Sequence, residues 1–326
     1  MRTRKLGTSD LHLTTVGFGA WAIGGGGWAF GWGPQDDEES IRAIHRALDL
    51  GVNWIDTAAV YGLGHSEEVV ARALADRRGQ VIVATKCGLR WKEGGMIYPS
   101  LNAASVQREV EDSLRRLRAE TLDLYQVHWP NPDREIEEGW AAMARLVEQG
   151  KVRHAAVSNF SVEQMRRAQR IHPITALQPP YSMVDRAVER EILPFCAEHG
   201  IGVVAYSPLQ NGLLTGKFSR ERMQRLESED WRHGSPSFQE PNFERTLELV
   251  ERLRPLAAEH GRTAAQLAVA WVLRRPEVTS AIVGARRPGQ IEETAPAGDW
   301  ELAGEDLERI ERILEEVAVP QPASLQ

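Results

Sequence analysis

Four side chains that can hold or exchange a proton lie where short apolar runs of this chain end. Asp56, Lys86 and His128 each close such a run, and Tyr61 follows Asp56 by five residues. A phenol beside an ammonium and a carboxylate can act as a proton donor, because neighbouring charges set its acidity. Taken singly, Lys86 could simply pair with Asp56, and His128 could be a hydrogen-bonded core residue. Three successive strand ends with such groups favour proton chemistry at one site.

The segments around these side chains alternate between strand-like and helix-like patterns. The predicted strands are 14–19, 53–56, 81–86, 123–128, 152–158, 174–178, 202–206 and 280–284. The predicted helices are 37–50, 66–77, 104–117, 136–148, 162–170, 189–199, 243–259, 264–274, a short helix from Gly289, and 304–316. This alternation predicts an α/β fold, a (β/α)8 TIM barrel with an N-terminal β-hairpin over 1–13 and an extra C-terminal helix. The longest stretch without a pattern, 217–242, follows the seventh strand, and loops of that length are typical of functional sites.

The glycines at the end of the first predicted strand allow a second interpretation. Gly17, Gly19 and Ala22 fit the G-x-G-x-x-A dinucleotide fingerprint. That fingerprint requires a helix to begin inside it. The chain instead continues as Ile23 followed by four glycines, which has no helical pattern. We therefore predict a first barrel loop at this position and no Rossmann domain.

Composition and charge argue against several classes of protein. Hydrophobic residues at 42% and charged residues at 26% are ordinary for a globular protein. A net charge of -7, without a basic cluster among aromatic residues, argues against a nucleic-acid partner. No apolar run reaches the ~20 residues of a membrane span. The basic segment 1–5 leads into no apolar stretch, so we expect neither a signal peptide nor a membrane partner.

The cysteines indicate the cellular compartment, the histidines test for a metal site, and heptad repeats would indicate a coiled-coil partner. The two cysteines, Cys87 and Cys196, form no disulfide framework and fit a reduced, cytoplasmic compartment. The nine histidines show no ligand spacing such as H-E-x-x-H, so we expect no metal. No coiled-coil heptad occurs, and we expect a monomer or a weak oligomer.

Ordered motifs along nearly the whole chain accompany Asp56, Tyr61, Lys86 and His128. They are Gly62-x-Gly64-x-Ser66-Glu67, Val127-His-Trp-Pro130, Gly150-Lys-Val-Arg153, Val157-Ser-Asn-Phe160, Gln178-Pro-Pro-Tyr181, Gly212-Leu-Leu-Thr-Gly-Lys217 and Gly284-Ala-Arg-Arg287. These motifs resemble the aldo-keto reductase family, and the four side chains match its tetrad. The glycine-rich first loop is similar to that of the bacterial branch containing general stress proteins. The resemblance implies one barrel domain over 1–326, ending in a helix and tail over 304–326, and a role in stress response.

The resemblance implies an oxidoreductase that reduces aldehydes and ketones to alcohols with NADPH/NADP⁺. Tyr61 would be the proton donor. An unperturbed phenol, with a pKa of about 10, is a poor acid at neutral pH. We expect the Lys86 ammonium to lower the pKa of Tyr61, and Asp56 to keep the lysine charged and aimed. His128 would orient the carbonyl oxygen.

By the same resemblance, the other strand ends form a cleft for NADPH. Ser158, Asn159 and Gln178 would hold the nicotinamide carboxamide, and Tyr206 would stack on the ring. The other implied cofactor-binding residues are Trp21, Asp56, Ser207, Pro208, Leu209, Gly212, Lys217, Arg232, Gly284, Arg286, Gln290 and Glu293. Arg286 at a helix N-terminus suits a 2′-phosphate, which favours NADPH over NADH.

Aromatic residues in the predicted rim loops would line the substrate pocket. The predicted pocket residues are Trp21, Tyr61, Trp91, His128 and Trp129. Trp28 and Trp32 lie in the first loop as well, and either of them could instead pack the barrel top. The chain departs from the family at Ala20 and Thr294, where the family often has Thr and Asn.

Two other functions fit parts of this pattern. A cofactor-sensing regulatory subunit, as among the channel-associated relatives of the family, would bind the nucleotide with little turnover. The intact His128 favours an enzyme instead. A barrel isomerase or aldolase with Lys86 as a Schiff base would leave the nucleotide-binding segment 284–286 without a role.

Overall fold

Eight parallel strands close into a barrel in the computed structural model, which describes residues 1–228 and 230–320. The strands are β1 (Thr3–Lys5), β2 (His12–Thr14), β3 (Val16–Gly19), β4 (Trp54–Asp56), β5 (Ile82–Cys87), β6 (Leu89–Trp91), β7 (Ile97–Pro99), β8 (Leu122–Val127), β9 (Val152–Ser158), β10 (Ala176–Gln178), β11 (Gly202–Ala205) and β12 (Val278–Gly284). The barrel order is β3, β4, β5, β8, β9, β10, β11 and β12, and β12 pairs with β3. The predicted (β/α)8 fold is confirmed. Residues 321–326, the end of the predicted tail, lie outside the described residues.

Helices cover the barrel between successive strands. They are α1 (Asp37–Asp49), α2 (His65–Ala73), α3 (Ala103–Leu117), α4 (Ile136–Glu148), α5 (Val162–Gln169), α6 (Ile192–Glu198), α7 (Arg220–Gln224), α8 (Asn242–Glu259), α9 (Ala264–Leu273), α10 (Pro288–Thr294) and α11 (Gly304–Val317). Side chains cap several of the N-termini, as where Asp36 accepts a hydrogen bond from the Glu39 amide. No helix in the described part of the chain has both the length and the apolarity that a membrane crossing needs.

The N-terminal hairpin closes the amino end of the barrel. Strands β1 and β2 pair antiparallel, which confirms the predicted hairpin. Leu6, Leu11 and Leu13 pack against Trp54 and the other apolar side chains of the barrel interior. Because this apolar layer fills the amino end, the carboxyl end of the strands is the one left for a site.

Gly17, the first glycine of the apparent fingerprint, makes room for an indole ring. A Cβ at this position would lie 2.1 Å from the Trp54 ring. The Trp54 indole N–H donates to the carbonyl of Thr14 and to Ser280 Oγ. The chain then forms only a short 3₁₀ turn, Ala22–Gly24, and no α-helix begins at the fingerprint. The glycine therefore serves packing, and the prediction of a barrel loop is confirmed.

Several predicted bounds differ from the structure. The eighth barrel strand begins at Val278 rather than at 280, and the helix predicted over 66–77 ends at Ala73. The helix predicted over 189–199 is a 3₁₀ turn, Ala187–Glu189, followed by α6. The ribbon of β6 and β7 was not predicted, because each strand has only three residues.

The described residues of the stretch 217–242 include regular elements, which corrects the prediction of an irregular stretch. It contains α7 and two 3₁₀ turns, Trp231–Gly234 and Pro236–Phe238. Phe218 and Phe238 of this stretch form a small apolar core with Leu213 and Phe243. A buried ion pair joins Asp230 to Arg232 at 2.6 Å. These residues follow no helical or strand period, so periodicity could not reveal them.

Candidate active site

The ends of β4, β5 and β8 bring the four predicted tetrad residues together. Lys86 Nζ donates to Asp56 Oδ1 at 2.6 Å and to the Thr57 carbonyl at 2.9 Å. It lies 3.3 Å from Tyr61 Oη, and the Tyr61 and His128 rings are 5.7 Å apart. Asp56 and Lys86 are buried, whereas Tyr61 and His128 are half-buried. The tetrad is thus a buried ion pair with a phenol and an imidazole at its outer side.

A tight turn fixes the position of Tyr61. Tyr61 begins a 3₁₀ segment in which Gly62 has a φ of 61°. A Cβ on Gly62 would lie 2.1 Å from the carbonyl oxygen of Gly24. The glycine-rich first loop and the Tyr61 turn therefore pack backbone against backbone, and only glycine fits at that contact.

Burial dominates the acid–base properties of the tetrad. It lowers the pKa of Lys86, while the charges of Asp56 and Glu67 oppose that shift. Burial, followed by the Lys86 charge, lowers the pKa of His128 well below 6.5, so its imidazole is neutral at neutral pH. The pKa of Tyr61 is raised well above 10.0 by burial and then by the Asp56 charge. The expected lowering of this pKa by Lys86 was therefore wrong in its net direction, because burial disfavours the charged phenolate.

The residues of the Gly64-x-Ser66-Glu67 motif support the tetrad from behind. Ser66 Oγ donates to the carbonyl of Ala20, and it shares a hydrogen bond with Thr57. Glu67 is fully buried and accepts hydrogen bonds from Thr85 Oγ1 and Arg116 Nε, each at 2.6 Å. These contacts connect α2 and α3 to the strands that carry Asp56 and Lys86.

Glu109 is a buried acid just behind the end of β5. It accepts hydrogen bonds from the Gly88 amide and from Ser105 Oγ, each at 2.9 Å. Burial nevertheless raises its pKa from 4.5 to about 7. The folded state therefore binds this proton more tightly than the unfolded state does. The resulting stabilisation is complete below the ordinary pKa and is lost as the pH rises through about 7.

We expect Glu109→Gln to raise the melting temperature near pH ~8 and to leave it almost unchanged near pH ~5. The amide oxygen can still accept the Gly88 N–H, and the cost of a buried carboxylate, up to about 3 kcal/mol, disappears. Melting curves of both proteins across this pH range measure the effect. Glu111→Gln, on the exposed side of α3, is the matched control. Equal melting temperatures for Glu109→Gln and the wild type near pH ~8 would contradict the assignment.

The residues predicted to hold the carboxamide lie beside the tetrad. Asn159 has a φ of 63°, donates to the His128 carbonyl and accepts a hydrogen bond from Tyr206 Oη. Ser158 Oγ donates to the Gln178 carbonyl at 2.8 Å. Gln178 turns its amide nitrogen toward Asp56 Oδ2 at 2.7 Å. The structure thus brings these residues together, with Gln178 tied to the tetrad itself.

The loop after β11 has a strained backbone. Ser207, Gln210 and Asn211 have φ values of 55°, 45° and 54°, which non-glycine residues rarely adopt. Of the other predicted cofactor residues here, Pro208 is buried, Leu209 packs on the barrel core and Gly212 has a φ of 101°. Such strain concentrates where a backbone contacts a ligand.

Arginines gather beyond this loop, near the start of α10. Burial and then the charges of Arg232 and Arg287 lower the pKa of Arg286, and burial with the same two charges lowers that of Arg222. The charges of Arg232 and Arg287 thus act on both Arg222 and Arg286, while the carboxylate of Asp230 pairs with Arg232 at 2.6 Å. Sequence reasoning had identified Arg232 and Arg286 only.

The predicted adenosine-end residues contact each other and the first loop. Arg286 donates to Gln35 Oε1 at 2.5 Å and to the Trp32 carbonyl at 3.3 Å. Gln290 Oε1 accepts the backbone N–H of Arg286, and Lys217 pairs with Glu293 at 2.5 Å. Gly284 is exposed at the end of β12. Arg286 therefore holds the first loop as well as belonging to the arginine cluster.

Indole rings surround the outer side of Tyr61. Trp21 stacks on Tyr61 at 6.4 Å and on Trp231 at 5.2 Å between ring centroids. Trp28 lies 6.2 Å from the Tyr61 ring. Within the described residues, neither Trp91 nor Trp129 makes a ring contact with Tyr61, and Trp91 instead lies 5.8 Å from the Arg116 guanidinium.

Sequence reasoning missed several residues of the site. Gln126 lies two positions before His128, so the two side chains share one face of the β8 segment. Its polarity within an apolar strand was the available signal. Trp231 is brought to Trp21 only by the fold of the long loop, and nothing in its local sequence marks it.

Comparison with known proteins places the chain in one family. The model of the Aldo/keto reductase family matches residues 15–315. The chain is 41% identical to aldo-keto reductase YhdN of Bacillus subtilis (strain 168), over 97% of this chain and 94% of that protein. It is 35% identical to the NADH-specific methylglyoxal reductase of Escherichia coli (strain K12), over 94% of this chain and 96% of the other.

Solved structures agree with this placement. The glycerol dehydrogenase AKR11B4 from Gluconobacter oxydans superposes with a TM-score of 0.88 at 41% identity, covering 99% of this chain and 98% of that one. The holo form of aldo-keto reductase AKR11C1 from Bacillus halodurans gives a TM-score of 0.81 at 29% identity, with 96% of both chains covered. With its barrel, its buried ion pair and these matches, the chain belongs to the aldo-keto reductase family, oxidoreductases that act on carbonyl compounds with a nicotinamide cofactor.

Proposed function

We propose that this protein reduces aldehydes and ketones to alcohols with NADPH, and that Tyr61 donates the proton. The observation that carries the proposal is the position of Tyr61 Oη, 3.3 Å from the Lys86 ammonium, which itself bonds Asp56 at 2.6 Å. A phenol held there can protonate an oxygen at the mouth of the barrel. The neighbouring Asp56 favours the charged form of Lys86.

The raised pKa of Tyr61 fits a donor that keeps its proton until it is needed. An alkoxide that forms on the substrate is a far stronger base than a phenolate, so it takes the proton even from a weak acid. The Lys86 ammonium then stabilises the phenolate that remains. Neutral His128 can donate an N–H to the same oxygen, since its lowered pKa leaves it uncharged.

The residues around the tetrad fit a nicotinamide dinucleotide. When bound, the cofactor supplies a hydride to the carbonyl carbon. Asn159 and Gln178 would hold the carboxamide, and Tyr206 would stack on the ring. The strained loop after β11 would contact the pyrophosphate through its backbone amides.

The cluster of Arg222, Arg232, Arg286 and Arg287 supports NADPH over NADH. A dianionic 2′-phosphate among them would offset the repulsion that Arg232 and Arg287 exert on Arg222 and Arg286. The Escherichia coli relative is named as NADH-specific, so cofactor choice differs within the family and needs a direct measurement.

The proposed substrate pocket has an aromatic wall. We assign Trp21 and Trp28 to it with Tyr61 and His128, while Trp91 and Trp129 stay predictions. The single domain over 1–326, the monomeric or weakly oligomeric state, the cytoplasmic location and the role in stress response also stay predictions of the sequence.

Titration of the purified protein with NADPH and with NADH, read by tryptophan fluorescence, tests the proposal together with aldehyde-dependent loss of absorbance at 340 nm. Trp21 and Trp231 lie close enough to the site to report binding. We expect tighter binding of NADPH and its oxidation by at least one aldehyde in a panel. Tight binding without turnover would favour a cofactor-sensing subunit, and binding of neither nucleotide would contradict the proposal.

A further inference from the structure

Two buried glutamines hold the second oxygen of Asp56. While Oδ1 accepts the Lys86 ammonium, Oδ2 accepts the amide nitrogens of Gln178 at 2.7 Å and Gln126 at 3.1 Å. The Gln178 amide also donates to Gln126 Oε1 at 3.3 Å. Gln126 is fully buried and Gln178 is 3% exposed. Both carboxylate oxygens are thus bonded, each from a different side.

These contacts follow from the barrel geometry. Asp56, Gln126 and Gln178 lie on the second, fourth and sixth strands of the barrel, and alternate strands contribute side chains to one interior layer. An amide is suited to this layer, because it donates to the carboxylate and accepts from the other amide without adding a charge. An apolar residue at 126 would leave Oδ2 with one donor and would release Gln178 from its second bond.

We infer that Gln126 is a positioning residue, which with Gln178 fixes the Asp56 carboxylate so that Oδ1 meets Lys86 and the lysine stays directed at Tyr61. The inference rests on the proposed function for its effect on turnover. The same geometry connects the carboxamide end of the cofactor cleft, through Gln178, to the proton donor. Gln126 lies opposite Lys86 between β5 and β8, but in the described residues its side chain forms hydrogen bonds with Asp56 and Gln178 and none with Lys86 or Tyr61. It therefore acts through Asp56.

The charges that face Lys86 define the effect on its titration. Asp56 and Glu67 favour the ammonium, and Tyr61 and His128 are the other titratable groups beside it. If Asp56 turns away, its charge no longer opposes the lowering of the Lys86 pKa by burial. The Lys86 ammonium then loses its proton at lower pH. The alkaline limb of the activity profile must then move to lower pH.

The test replaces Gln126 by Met, which has a similar length and no hydrogen-bonding amide. We expect kcat to fall about tenfold, the alkaline limb of the pH profile to move to lower pH, and the NADPH Kd to stay within about twofold. Leu124→Met is the matched control, since Leu124 is buried in the interior of the same strand and should behave as the wild type. Gln126→Leu replaces the first variant if that one does not fold. An unmoved limb, with or without a lower kcat, would overturn the inference.

A second readout needs no turnover and separates this inference from the proposed function. The chain has only five lysines, Lys5, Lys86, Lys92, Lys151 and Lys217. Selective ¹³Cε labelling therefore allows the Lys86 signal to be assigned with Lys86→Met and titrated directly. In Gln126→Met we expect this signal to titrate at lower pH than in the wild type. Coincident titrations would overturn the positioning role even if the protein proves inactive.

Discussion

Tyr61→Phe is expected to lower the turnover of aldehydes by about 100- to 10,000-fold and to leave the Kd for NADPH nearly unchanged. The phenol oxygen is the group closest to the Lys86 ammonium that can give a proton to the substrate, at 3.3 Å. Its ring, by contrast, packs against Trp21 and His128, and phenylalanine preserves those contacts. Single-turnover measurements of NADPH oxidation, together with fluorescence titration, separate the chemical step from binding and product release.

Tyr98→Phe is the matched control for this variant. Tyr98 also has a lysine near its ring, with Lys92 Nζ at 5.6 Å, but it lies on β7 outside the tetrad. We expect it to keep the activity of the wild type. Turnover by Tyr61→Phe at the level of the wild type would remove Tyr61 as the proton donor and leave His128 as the candidate.

Arg286→Ala is expected to weaken the binding of NADPH by about 10- to 100-fold and the binding of NADH much less. Removal of the guanidinium takes away its charge-assisted hydrogen bonds to the 2′-phosphate of NADPH. NADH has no such phosphate, so its binding does not depend on them. Arg286 also bonds Gln35 and the Trp32 carbonyl, so the first loop loosens and both nucleotides lose some affinity. The ratio of the two Kd values is therefore the quantity to measure.

Arg309→Ala provides the control for loss of an arginine. Arg309 forms an ion pair with Glu259 at 2.7 Å and takes no part in the cluster near α10. We expect its two Kd values to match those of the wild type. If Arg286→Ala weakens the binding of NADPH and of NADH equally, Arg286 holds the first loop and does not bind a 2′-phosphate.

The order of elements could be predicted because each barrel strand is a short apolar run between amphipathic helices. Strands such as Val152–Ser158 and helices such as Ile136–Glu148 have the predicted bounds. The stretch 217–242 could not be predicted, because its ordering depends on contacts among Phe218, Phe238 and Phe243 that are brought together by the fold. Hydrophobic periodicity reveals the apolar face of one helix or strand, but it does not reveal a cluster of residues from separate segments.

The tetrad could be predicted because the carboxyl ends of parallel strands meet at one rim. The role of Gln126 could not, since it depends on which interior side chains share a layer. The direction of the Tyr61 pKa could not be predicted either, because the sequence suggests an ammonium beside the phenol but does not show the burial that raises the pKa. Likewise, Arg286 was matched to a phosphate, while its contact with Gln35 depends on how the first loop folds back.

Transfer of deuterium from labelled cofactor to product tests the central claim most directly. The protein is incubated with NADPH carrying deuterium at both positions of nicotinamide C4 and with an aldehyde that it consumes, and the alcohol is examined by mass spectrometry. We predict one deuterium on the carbinol carbon of the product, in an amount equal to the NADPH oxidised. NADPH oxidation without label in the alcohol, or no alcohol with any carbonyl tested, would contradict a carbonyl reductase.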